Sequence, residues 1–120
     1  MRYMLLIYDD EQQWAAMSPE ENEKVMQAYY AYHGEVNEAG VFRSGEPLQA
    51  SSAATTVRVR DGQTLTTDGP FAETKEQLGG FYVLDCENLD EAITWAAKIP
   101  SSALGAIEVR PIMEMGPPVE

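Results

Sequence analysis

Apolar and polar positions along this chain change period from one segment to the next. Residues 2–8 read RYMLLIY, an apolar and aromatic run that stops at Asp9-Asp10-Glu11. A run of that length and composition predicts a buried strand. A polar linker follows, with Trp14 and Met17 as anchors. Ser18-Pro19-Glu20-Glu21 then predicts a helix start. Ser18 caps, Pro19 suits the first helical position, where no N–H is needed, and Glu21 completes a capping box. Val25, Tyr29, Tyr32, Val36 and Ala39 recur at helical spacing and form one apolar stripe, which Gly40 ends.

Beyond Gly40 the period shortens. Residues 41–48, VFRSGEPL, begin as a strand and are interrupted by Ser44-Gly45 and Pro47. TTVRVR alternates over 55–60, QTLTT alternates back over 63–67, and Asp61-Gly62 between them is a hairpin signal. GFYVL, residues 80–84, predicts a second buried strand, entered through a sharp turn at Gly79-Gly80. Asn88-Leu89-Asp90-Glu91 is a second capping box. Leu89, Ala92, Ile93 and Ala96 are the stripe of its helix, and Pro100 closes that region. IEVRPIM, residues 107–113, is the last strand, and residues 116–120 are expected to fray.

The order β-α-β-β-β-α-β predicts one domain over residues 1–115, an α+β ferredoxin-like sandwich with an antiparallel sheet. Both helices cover one face of that sheet. Met4, Leu5, Leu6 and Ile7 make the first strand apolar on both sides, and GFYVL is similar. The uncovered face therefore needs a partner, most simply a second copy packed about a two-fold axis.

Charge narrows the partners. The 120 residues carry 20 acids against 8 bases, a formal charge of −12. Such a surface repels phosphate backbones, which argues against nucleic acid, and it lacks the basic cluster that anionic membranes attract. Cys86 is the sole cysteine, so no internal disulfide forms, and acids flank it where a reactive thiolate wants cations. The first apolar run is too short for a signal peptide or a membrane span, so the expected address is the cytoplasm. One histidine and scattered acids lack metal-ligand spacing, and no nucleotide or phosphate loop is present. Neither a metal nor a cofactor is expected.

Four blocks carry a resemblance: MRYMLLIY, TDGPFAETKEQLGGFYVLD, LDEAITWAAKIP and IEVRPI. In this order, and over nearly the whole chain, they resemble the YCII-related family in its DGPF branch. The resemblance implies a dimeric α+β barrel with a cavity between the sheet and the partner. It also implies either cofactor-free chemistry on ring compounds or an association with sigma factors. In the YCII-type branch a His-Asp pair is the proposed active site. Its counterparts in this chain are Ala28 and Ile99, neither of which takes a proton.

Other residues must then carry any chemistry. His33, the lone histidine, sits at the edge of the first helix's stripe, either as a partly solvated boundary residue or as a general base at a cavity rim. Asp68 either shapes the Asp68-Gly69-Pro70 turn or ends the row Thr64-Thr66-Asp68 as a proton carrier. Phe71 reads as an anchor of its loop to the core or as the wall of a ring-binding pocket. Glu73 to Glu76 read as a solvated helical turn, in which Lys75 is a cation for an acidic ligand. Arg110 either pairs with Glu108 on its strand face or clamps an anion in the cavity. Tyr3, Tyr8, Tyr82 and Trp14 are core aromatics or cavity lining. Two functions follow. One is an acid–base enzyme on a small cyclic or anionic molecule, with Asp68 and His33 as proton carriers and Arg110, Lys75, Phe71 and Tyr8 as ligand contacts. The other is a non-catalytic dimeric module that binds a ligand or a sigma factor.

Overall fold

A computed structural model describes residues 1–116; part of the tail expected to fray, residues 117–120, lies outside them. Four strands form an antiparallel sheet: β1 (Arg2–Asp9), β2 (Phe42–Pro47), β5 (Gln77–Asp85) and β6 (Ala106–Pro111), in the order β2-β5-β1-β6. β1 is central and alternates strictly: Tyr3, Leu5, Ile7 and Asp9 are buried, whereas Met4, Leu6 and Tyr8 are half-buried on the other side. The helices α2 (Pro19–Glu38) and α3 (Leu89–Ala97) supply the cover for the buried row. This is the ferredoxin-like α+β arrangement expected from the element order.

The helix termini follow the local chemistry. Ser18 Oγ accepts from the Glu21 amide at 3.1 Å, and Glu21 reaches back to the Ser18 amide at 3.3 Å. At the far end Gly40 adopts φ 75°, and Val41 N–H donates to the Val36 carbonyl at 3.2 Å, closing a Schellman motif. Of the stripe expected on α3, only Ala92 and Ala96 are buried, while Leu89 and Ile93 are exposed. The small alanines turn inward, with half-buried Trp95 beside them.

Three segments depart from the sequence reading. The linker after β1 contains a helix, α1 (Glu11–Ala16), capped by the Asp10 carboxylate on the Gln12 amide at 2.9 Å. Residues 42–47 form a regular edge strand despite Gly45 and Pro47. Arg43 is absorbed in an irregularity between Phe42 and Ser44, and an edge strand tolerates the missing proline N–H. Gly79 and Gly80 do not form a turn. Both lie inside β5, and neither has positive φ.

β3 (Thr55–Arg60) and β4 (Gln63–Asp68) pair only with each other, through a turn with φ 51° at Asp61 and 75° at Gly62. All of β4 is exposed, as are Val57 and Val59 of β3. The radius of gyration is 16.8 Å, against about 14 Å for a compact chain of this length. The hairpin therefore reaches away from the body.

Inside the core, burial and the nearby Glu91 and Asp85 push the Cys86 thiol up to about 11 from its ordinary 9.0. Burial, then Tyr29, pushes the Tyr82 phenol up to about 12 from 10.0. Both groups keep their protons in the fold after the unfolded chain has lost them. Their stabilisation is full below pH 9 and is lost as the pH climbs toward 12. The urea midpoint is therefore expected to fall steeply across that window, and Cys86→Ala is expected to flatten its lower part. A flat profile to pH 12 would contradict this account of the core.

Candidate functional site

A cavity of about 580 Å³ opens between the helix-covered face of the sheet and α2. Its wall is built from Ile7 and Asp9 of β1, Glu11 and Trp14 of α1, Met26, Tyr29, Tyr30 and His33 of α2, residues 45–50, residues 79–82, and Ser101. Glycines in this wall let its strands approach closely. Gly45, Gly79 and Gly80 contribute no side chain to the wall. A methyl group on Gly80 would meet the Glu46 carbonyl at 2.9 Å, and one on Gly45 the Tyr82 ring at 2.8 Å. The pairing register skips Gly79 between Ile7 and Tyr8, so this residue forms a bulge. A methyl there would stand 3.4 Å from the Asp9 carboxylate.

Asp9 is the unusual group. It ends the buried row of β1, is only 5 % exposed, and lines the cavity. Among the described residues no donor is paired with its carboxylate, and no fully buried side-chain oxygen is left without a partner, so the Asp9 oxygens are reached from the cavity. Its field reaches Tyr29. The Tyr29 phenol is pushed above its ordinary value first by burial and also by Asp9, against the opposing effect of Ser101. The Tyr29 and Ser101 hydroxyls lie 2.5 Å apart, and Ser101 is fully buried. Tyr29 is thus fixed in position and keeps its proton at neutral pH.

The acid of α1, Glu11, is committed to structure. Glu11 accepts from the Ser51 amide at 2.6 Å and the Ser51 hydroxyl at 2.8 Å, while its own amide donates to Gln77 Oε1 at 3.0 Å. These bonds tie α1 to the segment after β2 and to the start of β5. His33 is exposed where it joins the wall, with its ring edge-on to Phe42 at 4.8 Å. Among the described residues, the charged side chains of the wall are Asp9, Glu11 and Glu46, beside His33, with no lysine or arginine.

Of the residues expected to form a site, the wall brings together His33, Trp14 and Tyr82. Asp68 stands exposed at the end of β4, sharing its hairpin face with Thr64, Thr66, Val57 and Val59. Phe71 does not anchor its loop: it is 81 % exposed, because the loop after the hairpin runs clear of the core. Lys75 is also exposed, and residues 73–76 are an irregular bend, not a helical turn. There Gln77 and Thr74 side chains take the backbone carbonyls of Thr74 and Glu76. Arg110 and Tyr8 lie on the sheet face away from the helices, where Arg110 pairs with Glu108. Tyr3 is in the core. Ala28 is exposed on α2, Ile99 is buried, and neither joins the wall.

Sequence reasoning passed over Asp9, Tyr29 and Ser101 as site residues. For Asp9 a signal existed: it continues the odd-numbered row Tyr3-Leu5-Ile7, so strand alternation aims it at the core. Among the described residues no group of three His, Cys, Asp or Glu side chains could hold a metal ion, and no helix is long and apolar enough to cross a membrane.

Fold and cavity define a ferredoxin-like α+β protein with a chamber between its sheet and its helices. Residues 1–116 match the YCII-related domain, and the chain belongs to that family. It is 44 % identical over 114 residues to an uncharacterised protein of Rhizobium meliloti (strain 1021), covering 93 % of this chain and 92 % of that one. Its fold is similar to that of 5-chloro-2-hydroxyhydroquinone dehydrochlorinase (TftG) from Burkholderia phenoliruptrix AC1100, solved in complex with 2,5-dihydroxybenzoquinone. That likeness has a TM-score of 0.50 at 16 % identity and covers 96 % of both chains.

Proposed function

We propose that this chain is a small-molecule enzyme that moves a proton to or from a ring compound held in the cavity, with Asp9 as the proton carrier. The observation that carries the reading is the Asp9 carboxylate, nearly buried, without a donor, on the wall of a 580 Å³ chamber. That volume suits one or two rings. A carboxylate on the cavity wall is placed to take a proton from, or return one to, a molecule held there. The Tyr29 hydroxyl, held against that of Ser101, lines the same wall, and His33 is exposed at its rim. The ring compounds in the name and complex of TftG are of a size that the chamber admits.

The chain has two tryptophans, and Trp14 is on the cavity wall. In a Trp95→Phe background, Trp14 is the single fluorescent reporter. A ligand in the chamber is expected to change its emission saturably, and a compound that is turned over is expected to lose turnover in Asp9→Asn. A broad panel of ring compounds that leaves Trp14 emission unchanged would remove the reading.

We infer also that two copies associate through the open sheet face, where Met4, Leu6 and Phe81 are half-buried side by side. Leu6→Lys places a charge in the middle of that patch. Light scattering is expected to report a dimer for the native chain and a monomer for the variant. A native monomer at high concentration would count against the inference.

A further inference from the structure

Resting on the reading of the cavity as a ligand site, we infer that its ligand is an organic cation: an amine, protonated or quaternary, on a small ring or aliphatic body. Asp9 supplies the first reason. A carboxylate that is 5 % exposed, has no donor among the described residues and is reached from the cavity offers a ligand there an unpaired negative charge. An ammonium nitrogen offers both the charge and the N–H donors that Asp9 lacks.

The wall supplies the second. Trp14, Tyr29, Tyr30 and Tyr82 line the same chamber. Aromatic faces carry the negative side of the ring quadrupole and attract cations, most strongly where water is excluded. The absence of lysine and arginine from the wall removes any clamp for an anion, which would instead meet Asp9. The net charge of −12 raises the local concentration of cations around the mouth. A cationic nitrogen also acidifies the N–H and C–H bonds next to it, which are the bonds a carboxylate base would work on.

The test is a matched set titrated into the native chain near neutral pH by calorimetry: benzylamine, benzyltrimethylammonium, benzyl alcohol and benzoate. The two cations are expected to bind at least about tenfold more tightly than the alcohol, with benzoate weakest. In Asp9→Asn, checked for folding by circular dichroism, the preference for cations over the alcohol is expected to shrink toward unity. Equal binding of alcohol and cations, or tighter binding of benzoate, overturns the inference and leaves the cavity reading standing. Failure of all four compounds to bind overturns both. A cation preference unchanged in folded Asp9→Asn overturns the role given to that carboxylate.

Discussion

Asp9→Asn is expected to raise the melting temperature by about 3–6 °C while lowering turnover of any responsive compound by about 10²–10⁴-fold. The two effects share one cause. Folding places the Asp9 carboxylate on the cavity wall beside Glu11 and Glu46, where the described residues offer it no donor. Asparagine keeps the shape and loses the charge, so the cost of holding an unpaired carboxylate beside two other acids, about 1 kcal/mol, is relieved. The same change removes the base. Glu11→Gln is the control with the opposite sign. That carboxylate accepts two hydrogen bonds from Ser51, so neutralising it weakens charge-assisted bonds and is expected to cost stability. Thermal melts of both variants separate the cases. If Asp9→Asn melts lower than the native chain, Asp9 is a structural residue with a partner. If it melts higher and turnover persists, the proton passes elsewhere.

The sequence was legible where local chemistry decides the structure. Ser18-Pro19 with Glu21 caps α2, Gly40 ends it, and Asp61-Gly62 closes the hairpin, each through bonds or dihedral angles set within a few residues. The apolar run of β1 and its two-sided character were equally plain. Long-range packing was less so. Gly79-Gly80 reads locally as a turn, and only the approach of Glu46 and Pro47 on β2 shows why no side chain fits at Gly80. Leu89 and Ile93 belong to the α3 stripe by period, yet the neighbouring alanines allow closer packing and face inward. The site suffered most. Charge density drew attention to residues 68–76, whereas the cavity gathers residues from β1, α1, α2, β2 and the segment after it, β5 and Ser101, which no single motif brings together. A constellation assembled by topology leaves no spacing to read, and Asp9 was recoverable only by following the strand row one step past its last apolar member.

Tyr32→Ala is expected to destabilise the chain by about 3–5 kcal/mol, a large share of the roughly 5–15 kcal/mol that holds a domain together. Tyr32 is 2 % exposed, with its ring edge-on to Tyr82 at 5.1 Å and to Trp95 at 6.2 Å. Its hydroxyl donates to the Trp95 carbonyl at 3.0 Å, which ties α2 to α3. Tyr32→Phe isolates that bond and is expected to cost only about 1 kcal/mol in urea unfolding. The phenol adds a pH signature. Burial first, then Tyr82, holds it well above its ordinary 10.0, so its stabilisation is present below pH 10 and lost as the pH rises beyond. Tyr32→Phe therefore lowers stability at neutral pH but flattens the alkaline decline. A curve merely shifted downward at every pH would show that Tyr32 does not titrate with unfolding. The helix pinned by Tyr32 also carries Met26, Tyr29 and His33 of the cavity wall. Ligand affinity at neutral pH should therefore survive in Tyr32→Phe and be lost in Tyr32→Ala, where nothing holds α2 at its distance from the sheet.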